Sequence, residues 1–465
     1  MNSFIKNKVL WLSVALLLSI VSTTVNTFAQ TNPKPLLQQI YVQTNNNRPN
    51  PAPTATPLVT KTASSMPISS IKTAFPVLAD VEIPGYTGIL VETLDGKAVM
   101  ESYSNVAFNP ASNVKLATAY AVLKTFGPGF RFRTDVYHDG QIDKTTGTLY
   151  GNLYVSGRDP AFNLEHGVAV ANELNRLGVQ TVTGDLIVTD NFVMNYSSTA
   201  KHSGTVLDAS LNSGKRNAAI NRAWQNYLTN SNKTNQVSMV PNVSLSGGVY
   251  VQSLPTNAKL LFSHESAPMR EIVKATLCFS NNFMSEKLGD MLGGSYAVAR
   301  IVQQNAGVQP AEFFLASSSG LGINRVTPRA MMRLLRVLQS ELAKNKMTFA
   351  DIMPVAGLDK GTLANRFDTD FSRGSVVGKT GTMNNTDAGV SSLAGEISTR
   401  NGKLLFVIFN NRGGVSRFRS FQNSLVSLIQ GQFGGAVPIN YSPISLDVRM
   451  ANTRITYPDT RNRIN

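Results

Sequence analysis

The chain has 465 residues, enough for two or three domains with cores of their own. One cysteine, Cys278, excludes an internal disulfide, and the scattered His138, His166, His202 and His264 show no metal-ligand spacing. Lysine and arginine exceed the acidic residues by 43 to 28, a net charge of +15 that suits work beside an anionic envelope polymer. It would equally suit nucleic acid, against which the absence of a nucleic-acid motif argues, and plain solvated surface is the alternative for most of it.

The first predicted element pairs Lys6 and Lys8 with the apolar run Val9 to Val21 and a polar stretch ending Thr27-Phe28-Ala29-Gln30. This predicts a signal peptide, residues 1–29, and export to the periplasm or cell envelope. The run is short for a membrane span, so no stable span is expected after cleavage; an uncleaved anchor is the alternative. Residues 30–74, rich in Asn, Pro and Thr, are predicted to be a disordered leader.

A hairpin at ILVETLDGKAVMES, turning at Asp95-Gly96, then precedes the stretch NPASNVKLATAYAVLKTFG. Its apolar run predicts a helix from Val114 to Phe126, ended by Gly127-Pro128-Gly129. Ser112 and Lys115 lie nearly one turn apart and point the same way. A buried lysine that has lost its proton would be a general base beside a nucleophile. Alternatively, Ser112 caps the helix and Lys115 snorkels to water. Three other Ser-x-x-Lys pairs weaken the pattern: Ser3 and Lys6 fall in the signal and Ser69 and Lys72 at the edge of the leader. Ser198 and Lys201 fall in a polar run with no apolar helix behind it.

Residues 135–260 read as an insertion of mixed α/β type. It has short strands at GTLYGNLYVSG, a helix ending at Leu177-Gly178 and a strand at TVTGDLIVTD, with no catalytic constellation. In CFSNNFMSEKLGDML, Ser280 and Asn282 precede a predicted helix from Phe283 to Leu292, where capping alone would explain them. Pro328 to Leu342 is a helix with Thr327 as N-cap and an apolar stripe of Met331, Leu334, Leu335 and Leu338. Ser375 to Val377 leads as a strand into Lys379-Thr380-Gly381-Thr382. A hairpin follows, Val390–Ile397 and Leu404–Phe409 across Asn401-Gly402, and then a helix near Phe418 to Ile429. Gly381 would let a ligand or backbone come close, and Lys379 and Thr380 could hold a carboxylate; an ordinary turn with a surface lysine is the alternative. Residues 436–465 read as an uninformative tail. No Gly-x-Ser-x-Gly elbow occurs, so a serine enzyme built on this chain has room for a lysine base.

Ser-x-x-Lys at Ser112, Ser-x-Asn at Ser280 and Lys-Thr-Gly at Lys379, in that order, resemble the active site of penicillin-recognising serine enzymes. The flanks GNLYVSGRDPAF, HESAPMREIVKATLCFSNNFMSEKLG, SSSGLGINRVTPRAMMRLL, MPVAGLDKGTLANRF and VVGKTGTMNNTDAGVSSLAG resemble the D-alanyl-D-alanine carboxypeptidase/endopeptidase family. These are the class C low-molecular-mass penicillin-binding proteins, and the likeness runs from about Pro76 to about Gly434. It implies an α/β (α+β) fold with a transpeptidase-like core of residues 75–134 and 261–435, an antiparallel sheet flanked by helices.

The resemblance also implies Ser112 as nucleophile, Lys115 as base and Ser280 as proton relay. Asn282, Lys379, Thr380, Gly381 and Thr382 would bind the substrate. It implies no cofactor, peptidoglycan stem peptides as substrate, and β-lactams as covalent inhibitors. A β-lactamase of the same fold and a non-catalytic wall-binding protein are the alternatives. Two features depart from the family. Ser317-Ser318-Ser319-Gly320-Leu321 stands where Asp-Gly-Ser-Gly-Leu is usual, and the interval from Ser112 to Ser280 is shorter than in the larger members.

Overall fold

The computed structural model describes residues 71–234 and 239–458. The predicted signal peptide, nearly all of the predicted leader and the end of the tail lie outside them.

Six strands form an antiparallel sheet in the order Lys72–Thr73, Ala98–Ser102, Tyr86–Thr93, Gly402–Asn411, Val390–Thr399 and Val376–Met383. The two predicted core segments are joined where Tyr86–Thr93 pairs with Gly402–Asn411. Strand alternation sends neighbouring residues to opposite faces. Leu405, Val407 and Phe409 pack with the helices Val114–Phe126 and Pro328–Lys344; Leu404, Phe406 and Ile408 pack with Leu425, Val426 and Ile429 of the helix Val415–Gln432. Both faces are therefore covered and apolar. The helix Val114–Phe126 has the predicted limits, and every residue from Val114 to Leu123 is buried. Thr327 caps its helix as read, its hydroxyl accepting from Ala330 N–H at 3.0 Å.

Three boundaries differ from the sequence reading. Lys72–Thr73, placed in the leader, pairs with Glu101 and Met100 at the sheet edge. Residues 135 and 260 do not mark linkers, because they fall inside the strands Arg133–His138 and Lys259–Glu265, which pair with each other. That pair anchors the insertion's own mixed sheet, in which Leu153–Gly157, Leu186–Val188 and Val249–Val251 run parallel. The tail is also structured: Leu446–Met450 is a helix capped by Ser445, and Arg454–Thr456 adds antiparallel to Lys259–Glu265. Short elements that take their stability from tertiary contacts leave little periodic signal. Ser198 and Lys201 also differ from their reading, since Thr199 caps a helix, Ala200–Leu211, that buries Leu207 and Leu211.

A buried ion pair fastens the helix Met269–Phe279 to the loop before the last core strands. Lys274 Nζ, fully buried, donates to Asp359 Oδ2 at 2.7 Å and to the carbonyls of Ala350 and Met353. Asp359 also accepts from Val355 N–H and, at 2.8 Å, from the Tyr441 hydroxyl of the tail. Removing one partner strands a dry charge. Asp359→Ala is expected to cost about 3–5 kcal/mol, read from the midpoint of urea unfolding, whereas the double change Lys274→Met with Asp359→Leu is expected to cost far less. Equal losses in the two variants would contradict this account of the pair.

Candidate active site

Three chain segments converge on one cleft. Asn109 sets the first: its Oδ1 accepts from Ala111 N–H at 3.0 Å, and its Nδ2 donates to Asp387 Oδ2 at 2.8 Å. This holds Ala111 at φ +46°, a left-handed conformation that costs a non-glycine residue roughly 1 kcal/mol or more. The short turn Ala111–Asn113 then runs into the helix, with Ser112 at the cleft surface. No side chain caps this helix, so Ser112 is not its cap. Lys115 does not snorkel either, being 1% exposed.

Lys115 Nζ lies 2.9 Å from Ser112 Oγ, 2.7 Å from Asn282 Oδ1 and 2.6 Å from the Ser319 carbonyl oxygen. Burial pushes its ammonium down to about 7, against an opposing pull from the carboxylate of Glu286. The second segment breaks between two helices. Ser280 ends Met269–Phe279 in a left-handed conformation, the side chain of Asn281 caps Asn282–Asp290 by accepting from Met284 N–H, and Asn282 opens that helix. Each residue of Ser-Asn-Asn thus has its own task, and capping falls to Asn281.

The third segment is the edge strand Val376–Met383. Lys379 is fully buried; its Nζ donates to Ser280 Oγ at 2.8 Å and to the Thr380 carbonyl at 2.7 Å. Burial, then the neighbouring Lys115 charge, holds it well below the usual lysine range. A side chain at Gly381 would overlap Ser392 Oγ and come within 2.7 Å of Pro110 O and 3.0 Å of Ser112 N, so only glycine fits this close crossing. Ser392 Oγ in turn donates to Pro110 O at 2.6 Å. Thr380 and Thr382 line the open cleft with Ser112, Ser280 and Gly381.

The structure therefore gathers all the residues singled out in the sequence, though Lys379 bonds to Ser280 instead of standing on the cleft surface. Sequence reasoning gave no role to the loop Ser317–Leu321, whose Ser319 carbonyl accepts from Lys115, and missed Glu286 behind it. Glu286 accepts from Ser318 N–H and Ser319 N–H at 3.1 and 2.9 Å, while Thr118 and Ser285 hydroxyls both donate to Ser318 O. Ser317 Oγ accepts from Gly320 N–H at 2.9 Å, so the serine standing in the family's aspartate position still braces the turn. Glu286 follows Asn282 by four residues, on one helix face; that spacing was the available signal. Among the described residues no group of three or more His, Cys, Asp or Glu is placed to hold a metal ion.

Known proteins are similar to this chain in sequence and fold. The D-alanyl-D-alanine carboxypeptidase of Actinomadura sp. (strain R39) is 26% identical over 435 residues, 72% of this chain and 79% of that protein. The carboxypeptidase DacB of Haemophilus influenzae is 22% identical, over 74% of this chain and 90% of its own length. The penicillin G-acylated predatory endopeptidase Bd3459 of Bdellovibrio bacteriovorus superposes with a TM-score of 0.65 at 21% identity, covering 78% of this chain and 97% of that one. The profile of the D-Ala-D-Ala carboxypeptidase 3 (S13) family matches residues 76–203 and 203–431. With that span matched, the chain belongs to the D-Ala-D-Ala carboxypeptidase 3 (S13) family of serine peptidases.

Proposed function

We propose that the protein cleaves the terminal D-Ala-D-Ala bond of peptidoglycan stem peptides through an acyl-enzyme on Ser112, with endopeptidase action at the same site a further option. The observation that carries this reading is the buried Lys115 amine 2.9 Å from Ser112 Oγ. A neutral amine has two N–H bonds and one lone pair. The Asn282 and Ser319 oxygens are acceptors and take the two N–H groups; Ser112 is the one partner able to donate. The lone pair is thereby left for the hydroxyl proton.

Ser112 Oγ attacks the carbonyl carbon as its proton passes to Lys115. The backbone N–H groups of Ser112 and Thr382 hold the oxyanion. Ser280, kept in place by Lys379, relays a proton to the leaving amine, the C–N bond breaks, and D-alanine departs. Asn282 binds the peptide's amide side, with Thr380 and Gly381 along the other edge. Water, deprotonated by the same lysine, then frees Ser112. A β-lactam offers the same carbonyl and carboxylate and is expected to acylate Ser112; the penicillin G-acylated relative supports this. The predicted signal peptide supports export to the periplasm or cell envelope. Among the described residues no helix is long and apolar enough to cross a membrane.

Fluorescent penicillin is expected to label the wild type at one site, mapped to Ser112, and to leave Ser112→Ala unlabelled. Equal labelling of both would refute the assignment. A penicilloyl adduct that hydrolyses within seconds would favour the β-lactamase alternative, and a protein that never releases D-alanine would favour the wall-binding one.

Lys115→Ala is expected to abolish acylation while the melting transition stays in place. Lys115→Arg is expected to fail as well, because a guanidinium keeps its proton at working pH. Near-normal acylation by the arginine variant would exclude the general-base role.

Acylation is expected to rise with pH through about 7, as the Lys115 ammonium loses its proton. Removing the facing carboxylate favours the neutral amine. In Glu286→Gln the rising limb is therefore expected to move to lower pH by roughly one unit, measured as kcat/KM against pH. An unmoved limb with a uniformly lower rate would mean that Glu286 only braces the Ser318–Ser319 backbone.

A further inference from the structure

The cleft beside Ser112 is walled on one side by the edge strand and on the other by the helix Val415–Gln432. None of its lining residues is acidic, and two are arginines, Arg366 and Arg419. Among the described residues neither has an ion-pair partner. Arg366 donates to Gln422 Oε1 and Asn423 Oδ1 at 2.7–3.0 Å, and burial lowers its guanidinium to about 10, with Arg419 adding to the effect. Arg366 is thus committed to neutral amides. Arg419 is different: it is exposed, and its Nη2 donates to Thr382 Oγ1 at 3.0 Å.

We infer that Arg419, steered by Thr382, is the cation that receives the substrate's terminal carboxylate, and that the site therefore selects peptides with a free C-terminal acid. This deepens the Ser112 reading, on which it rests for the direction in which the peptide lies. Lys379 is poorly placed for that task. It has no exposed surface, and it donates to Ser280 Oγ and to the Thr380 carbonyl. Burial and the Lys115 charge both work against its carrying a proton. Thr380 and Thr382, two residues apart on a strand, project to one face. That is the face toward the helix Val415–Gln432, as the bond from Arg419 to Thr382 fixes. A carboxylate lying along these hydroxyls comes within reach of a guanidinium whose planar fork matches two carboxylate oxygens. Among the described residues no acid pairs with it and none lines the cleft, so the attraction is available to a ligand.

The test measures binding separately from chemistry. Calorimetry on Ser112→Ala compares an acylated D-Ala-D-Ala peptide with the same peptide as its C-terminal amide. The free acid is expected to bind more tightly by on the order of tenfold to a hundredfold, the range of a charge-assisted contact. Adding Arg419→Ala is expected to bring the two affinities to near equality, and Arg419→Lys to restore part of the preference. Arg419 lies on the surface, so the melting transition is expected to stay unchanged in both. An acid preference that survives Arg419→Ala overturns the inference, as does an equal loss on both peptides or no preference at the outset. D-alanine release by the unaltered protein reads the Ser112 reaction on its own. Its absence, with the Arg419-dependent preference intact, would remove the reaction and leave the anchor.

Discussion

Keeping the Lys115 amine dry is the constraint on which the rest of the site depends. An ammonium moved out of water gives up solvation unless partners replace it or a proton leaves. Here three oxygens surround Nζ, burial disfavours its charge, and its charge in turn disfavours that of a second buried lysine, Lys379. Two like charges in one dry pocket oppose each other, so the pocket favours at least one neutral amine. Each amine has a serine hydroxyl beside it, and in the proposed reaction Lys115, next to Ser112, is the one that acts as the base. Lys379 gives up its freedom to hold Ser280.

Such a pocket cannot be built from one stretch of chain. The helix carrying Lys115 lies under the sheet, buried from Val114 to Leu123, and only the turn Ala111–Asn113 before it reaches the cleft, through Ser112. The strand carrying Lys379 must pass close enough to touch that turn, which is why Gly381 bears no side chain and Gly320, at φ +92°, lies against Ala111 from the other side. Ser280 completes the set by ending one helix in a left-handed conformation while Asn281 starts the next. The break turns Ser280 toward one lysine and Asn282 toward the other.

Much of this was legible in the sequence. The helix Val114–Phe126 announced itself by an unbroken apolar run ended by Gly127, and the hairpin Val390–Thr399 with Gly402–Asn411 by its Asn401-Gly402 turn. Local rules govern both elements. Ser112, Ser280 and Lys379 were legible because their motifs came in order, although each alone had a plain alternative. What stayed hidden depends on contacts across the chain. The spacing of Glu286 from Asn282 gives its helix face but not its partners Ser318 and Ser319, and nothing local marks Tyr441 as a partner of Asp359. The burial of Lys379 was invisible too, because a lysine on an edge strand reads as a surface charge until the neighbouring helix end is in place.

The insertion and the tail enter the same logic through the helix Met269–Phe279. The strand Lys259–Glu265 leads into that helix after pairing with the insertion on one side and with Arg454–Thr456 of the tail on the other. Arg449 of the tail donates to Glu271 on the helix's first turn, and Lys274 ties its middle to Asp359 and so to Tyr441. The helix that delivers Ser280 is thus held at its start, along its length and, through Lys379, at its end. A relay group that must keep hydrogen-bond distance through a reaction gains from rigid support. Here the support comes from the insertion and the tail, which contact the helix that ends at Ser280 and do not line the cleft.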